Sequence, residues 1–102
     1  MNIMAQFVIT AYDGEGMLDK RMEVRPLHLE GMERLKKHLI AAGGLLDGEG
    51  NLKGSALIME FQNREELDEY LANEIYVKEH VWDKITVERM NVVYAHGEKV
   101  GK

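Results

Sequence analysis

Apolar residues change their spacing several times along this chain, and the order of those changes limits the fold more than any single residue does. Residues 5–12, AQFVITAY, are rich in β-branched and aromatic side chains and run into the turn-forming DGEG, which is the pattern of a strand. From Pro26 to about Ala42 the period becomes helical, with His28, Met32, Leu35, Leu39 and Ala42 on one stripe. Pro26 suits the first turn of that helix, where its missing N–H has no partner to lose. Gly43-Gly44 supply a C-terminal stop. Residues 44–61, GLLDGEGNLKGSALIMEF, then read as two strands joined by a Gly-rich turn.

Asn63 followed by Glu66 gives an N-cap and capping-box pattern for a second helix, whose inward residues are Leu67, Tyr70 and Leu71. An aromatic connector, residues 74–82, leads to a last strand, KITVERMNVVY. The switch of apolar phase in that strand predicts a bulge near Glu88-Arg89 or two buried faces. The order strand, helix, strand, strand, helix, strand predicts an α+β fold. It is the ferredoxin-like βαββαβ sandwich, a four-stranded antiparallel sheet with both helices on one face. Phe7, Ile9, Ala11, Leu57, Met59 and Phe61 fall in one phase of the strands, and Val8, Tyr12, Ala56 and Ile58 in the other. An apolar second face predicts a homodimer packed sheet on sheet.

With 102 residues, the chain is the size of one domain (1–102), with a core over 5–93 and a polar tail over 95–102. The formal charge of -5 argues against a nucleic-acid partner, because binding to phosphates needs a basic stripe. Lys36-Lys37-His38 reads instead as a solvated helix end. The absence of cysteine excludes disulfides, thiolate nucleophiles and zinc–thiolate sites. The start MNIMAQFVIT lacks a basic n-region, and no apolar run is long enough to span a bilayer, so a cytoplasmic protein with no membrane partner is expected. DGEG occurs at 13–16 and again at 47–50, both times as turn chemistry.

His28 is the main candidate for chemistry. In the first turn of a helix the dipole would favour its uncharged ring, and a neutral imidazole at a cleft edge can act as a general base. The plainer reading is a core histidine held by one hydrogen bond. Asp13, with Tyr12 at the end of the first strand, could orient the ring or collect a proton, or simply start a turn. Glu74 could reach a pocket between sheet and connector, or lie in solvent. Arg21 and Arg25 could bind an anionic group, or pair with Glu23 and Glu30. Tyr76 and Trp82 read as core or interface. His28 and His38 are ten residues apart, off a common helix face, so no metal site is expected.

The run LDKRMEVRPLHLEGM resembles the YciI-like (YCII) family, whose members carry L-x-K-R-x-x-V-R-x-x-H-L after the first strand. Leu18, Lys20, Arg21, Val24, Arg25, His28 and Leu29 match it. The likeness continues through GSALIMEF and ANEIYVKEHVWDKITVERM, over roughly residues 5–93. The resemblance implies a ferredoxin-like fold paired as a dimeric α/β barrel, with a cleft centred on a histidine and an aspartate. His28 matches that histidine, and Asp13 the acidic residue closing the first strand. Where the family has Asp-Pro this chain has Glu74-Ile75, a carboxylate one methylene longer without the rigid proline. Fold relatives include dehydrochlorinases and muconolactone-isomerising enzymes, which move protons beside a carbonyl without a cofactor.

The expectation is a cofactor-independent lyase or isomerase acting on a small anionic molecule. His28 would transfer the proton, Asp13 or Glu74 orient it, and Arg25, with Arg21 and Tyr12, hold the substrate. The alternative is a non-catalytic binding or assembly module using the same dimer cleft.

Overall fold

The computed structural model describes residues 4–102. It contains β1 (Ala5–Asp13), α1 (Leu18–Arg34), a 3-10 turn (Lys36–His38), β2 (Leu39–Leu46), β3 (Leu52–Phe61), α2 (Arg64–Asn73), α3 (Ile75–Lys78), β4 (Trp82–Met90), β5 (Tyr94–Ala95) and β6 (Glu98–Lys99). The first four strands form one antiparallel sheet in the order β2-β3-β1-β4. This is the ferredoxin-like arrangement. No helix among the described residues is long and apolar enough to cross a membrane.

Strand alternation decides which side of the sheet the helices cover. Phe7, Ile9 and Ala11 of β1 and Leu57, Met59 and Phe61 of β3 are all buried, together with Val24 and Met32 of α1, Leu67 and Tyr70 of α2, and Tyr76 of α3. The other face presents Val8, Thr10 and Tyr12 beside Ala56, Ile58 and Thr86, none of them fully buried. Asn63 caps α2, its side chain accepting from the Glu66 amide at 2.9 Å, in agreement with the sequence pattern.

The first helix departs from expectation at both ends. It begins at Leu18 rather than at Pro26, so Pro26 lies inside it, although proline there removes the hydrogen bond to the carbonyl four residues earlier. That carbonyl belongs to the exposed Met22, where water can take it, while Arg21 and Val24 on the adjoining face are buried. Tertiary contacts outweigh the local signal. The helix ends at Arg34, Lys36–His38 make a 3-10 turn, and Leu39 and Ala42 belong to β2, where Gly43-Gly44 are strand residues rather than a cap. The inward stripe of α1 is therefore Arg21, Val24, His28 and Met32.

Three further corrections concern the C-terminal third. The 74–82 connector contains α3, and the polar tail folds into the β5-β6 hairpin, with His96 and Gly97 at positive φ in its turn. No bulge occurs at Glu88-Arg89. The β1-β4 register instead shifts between Tyr12 and Asp13, which pair with Lys84 and Trp82, leaving Asp83 as the extra residue. Trp82 has the parity of Lys84 and Thr86, which face away from the helices. The bulge returns it to the helix side.

Gly54 sits where the backbones of two strands approach closely, since a Cβ there would collide with the Ala11 carbonyl oxygen. A backbone obstacle cannot swing aside as a side chain can. Gly54→Ala is expected to destabilise the protein by about 1–3 kcal/mol through overpacking, read as a lower urea midpoint with unchanged slope; an unchanged midpoint would contradict it.

Candidate functional site

Helix α1 carries Arg21 and His28 toward the sheet, and each meets a different set of partners. Arg21, only 3% exposed, reaches β1 and β3: its Nη1 donates to Asp13 Oδ1 and Oδ2 at 2.8 and 3.0 Å, and its Nη2 to Ser55 Oγ at 2.8 Å. Trp82 Nε1 donates to the same Ser55 oxygen at 3.3 Å. A buried guanidinium needs such a set, because an unpaired charge is costly away from water.

Two turns of helix on, His28 Nδ1 lies 2.7 Å from Glu74 Oε1. The ring stacks on Tyr76 with centroids 4.2 Å apart and meets Trp82 edge-on at 6.3 Å. Glu74 is the N-cap of α3, its Oε1 also accepting from the Tyr76 amide at 3.3 Å. Its Oε2 accepts from the Tyr70 hydroxyl at 2.7 Å. Burial opposes the charge on this carboxyl, yet the hydrogen bond and charge of His28, then the Tyr70 hydroxyl and the Tyr76 amide, outweigh it and hold the group below its usual range. An ionised carboxylate only accepts, so the His28 nitrogen facing it carries the proton. In the uncharged ring the lone pair is then on Nε2.

His28 lines a cavity of ≈ 290 Å³, at the lower end of the range for small-molecule sites. Arg21, Arg25, His28 and Tyr76 line it on one side, Ser55 and Leu57 on the sheet side. Arg25 is exposed at this cavity and has no ion pair within 4.0 Å among the described residues. Glu23, its expected rival partner, is taken by Lys20 at 3.3 Å. A larger cavity of ≈ 600 Å³ lies between α1, α2 and α3; Tyr70 and Glu74 line it, His28 does not.

The predicted residues therefore separate into groups. His28 and Arg25 line the smaller cavity with Arg21, and Glu74 holds the imidazole from the side of the larger one. Asp13 does not touch the imidazole; it neutralises Arg21, whose Nη atoms are thereby committed to the fold rather than free for a ligand. Tyr12, at 44% exposed, lies on the opposite sheet face with Lys53 over its ring at 5.9 Å, away from the cavity. The expected dipole effect on His28 also fails, since the residue sits mid-helix rather than in the first turn. Ser55, Tyr70, Tyr76 and Trp82 complete the site. Only Ser55 left a signal, a polar residue in the buried phase of Leu57, Met59 and Phe61.

Comparison with known proteins agrees with this architecture. Protein YciI of Escherichia coli O6:H1 is 30% identical over 96 residues, covering 86% of this chain and 98% of that protein. Aspercryptin biosynthesis cluster protein B of Emericella nidulans is 29% identical over 87 residues, and the chain spans 56% of its length. Among solved structures, 5-chloro-2-hydroxyhydroquinone dehydrochlorinase from Burkholderia phenoliruptrix AC1100, in complex with 2,5-dihydroxybenzoquinone, superposes with a TM-score of 0.80. It is 28% identical, over 83% of this chain and 92% of the other. Residues 5–91 match the family described as the YCII-related domain, and the chain belongs to that family.

Proposed function

We propose that this protein is a small-molecule enzyme whose His28 moves a proton on a small anionic substrate, in an elimination or isomerisation that uses only the protein's own groups. The observation that carries this reading is the Glu74 contact at 2.7 Å on His28 Nδ1, which commits that nitrogen to donation and leaves the lone pair on Nε2 of a residue that lines the cavity. Glu74 fixes ring and tautomer and offsets the charge the ring gains on accepting a proton. Arg25 supplies the cavity's unpaired positive charge. The likeness to a dehydrochlorinase supports a reaction of this class. Hydroxylated quinones are accordingly the first molecules to try. The reading includes action as a homodimer in the cytoplasm, with the helix-free sheet face as the contact.

Carbon acids incubated in D₂O, hydroxylated quinones and small oxo acids among them, are expected to exchange a proton faster with the protein than without it, as followed by NMR. His28→Gln should lose about 10² to 10⁴ of that rate while keeping its circular dichroism. A variant as fast as wild type would remove the imidazole from the mechanism.

The Glu74 contacts also fix a pH dependence. A carboxyl held below its unfolded value stabilises the fold above that value, near about 4.3, and ceases to do so as pH falls through the folded value. The thermal midpoint of wild type should thus exceed that of Glu74→Gln at pH 7, with the gap closing on acidification below about pH 4. A constant gap across the range would mean that the carboxylate's charge contributes nothing.

Val8 and Ile58 pair directly on the open sheet face. Light scattering is expected to report a dimer for wild type and a monomer for Ile58→Lys, since a buried unpaired ammonium opposes association. A dimeric variant would move the interface elsewhere.

A further inference from the structure

The Tyr76 hydroxyl is not explained by the fold. The residue is 0% exposed, and its hydroxyl has no hydrogen-bond partner among the described residues. A buried polar group left so costs free energy that phenylalanine would avoid. Its ring already does the structural work, stacking under His28 at 4.2 Å and under the Arg21 guanidinium at 4.7 Å. Tyr76 lines the cavity that His28, Arg21 and Arg25 share. Burial pushes the phenol up from its ordinary value, against the charges of Arg21 and Arg25, so it keeps its proton and acts as a donor.

The charges around this cavity nearly cancel. Asp13 neutralises Arg21 and Glu74 offsets His28 when the ring is protonated, whereas Arg25 has no counter-charge among the described residues. Once His28 has taken up a proton, the set is one negative charge short of balance, which a monoanion held on Arg25 supplies.

We propose that the Tyr76 hydroxyl is the donor for a substrate carbonyl oxygen, and that the site takes a small monoanion bearing a carbonyl, its permanent charge on Arg25 and its acidic carbon toward His28 Nε2. This inference rests on the proton-transfer reading of the site. In the step, the C–H bond breaks and an N–H bond forms at Nε2. The C–H electron pair forms a C=C bond, and the carbonyl π pair moves onto oxygen, where the Tyr76 O–H stabilises the developing charge. Donors placed where charge develops, in a cavity also walled by Leu29, Met32, Leu52 and Leu57, act with little screening.

Phenylglyoxylate and phenylacetate test it, since both are monoanions and only the first has a ketone. Wild type is expected to bind phenylglyoxylate about tenfold more tightly, the worth of one hydrogen bond. Tyr76→Phe should lose that preference while its thermal midpoint stays equal or rises, because a partnerless hydroxyl has been removed. Arg25→Ala should weaken both ligands. Retained preference in Tyr76→Phe, absence of any preference in wild type, or a marked fall in the midpoint of Tyr76→Phe would each overturn the assignment. Proton exchange that depends on His28 in a protein whose Tyr76→Phe variant keeps its preference would sink this inference alone. A preference lost in Tyr76→Phe without exchange in any protein would keep the subsite and remove the reaction.

Discussion

A guanidinium cannot be buried without partners, and the burial of Arg21 organises much of what surrounds the cavity. Asp13 must end β1 within its reach, Ser55 must stand at the matching point of β3, and Tyr76 must lie beneath its face. One side chain thereby ties α1 to two strands and to α3. His28 follows on the same helical stripe, so its position above Tyr76 is a consequence of where Arg21 is anchored. The ion pair need not add much net stability, since desolvation offsets its attraction. Its effect is to specify one arrangement, and that arrangement is the one in which Glu74 meets the imidazole.

Glu74 has the second organising role. Both of its oxygens are engaged, one by His28 and the Tyr76 amide, the other by Tyr70. The amide contact is a helix cap, so the start of α3 and the orientation of the imidazole are set by the same carboxylate. A side chain one methylene longer than aspartate fits because the Tyr70 hydroxyl holds its far end. Here the local geometry of a four-residue helix and the protonation of a candidate base are one structural fact.

The sequence made the order of strands and helices legible, along with the β2-β3 hairpin, the Asn63 cap and the family, because period, turn chemistry and caps are local. His28, Glu74 and Arg25 could be nominated from residue type and pattern. What escaped was decided at long range. Pro26 is a start signal locally, yet α1 runs through it because residues before it are held from the sheet. Trp82 has the parity of an outward residue until a bulge turns it inward. Asp13 and Glu74 were both candidate partners for one imidazole, and only the packing of α3 against α1 chose between them. Tyr70 and Tyr76 resemble core residues, and their polar atoms have meaning only beside groups distant in the chain.

The two walls of the small cavity belong to different parts of the fold. The candidate catalytic groups sit on α1 and α3, whereas Ala42, Gly43, Gly44 and Leu52 from the β2-β3 hairpin set the opposite side. Gly44 lacks a Cβ at a point where one would strike the Leu52 side chain and come within 3.8 Å of Arg21. Because β2 is an edge strand, its side chains can change with little disturbance to the sheet centre. The size of the cavity can therefore change on the hairpin while His28, Glu74 and Tyr76 keep their mutual contacts on the helices, a division of labour that separates the room for a ligand from the groups that would meet it.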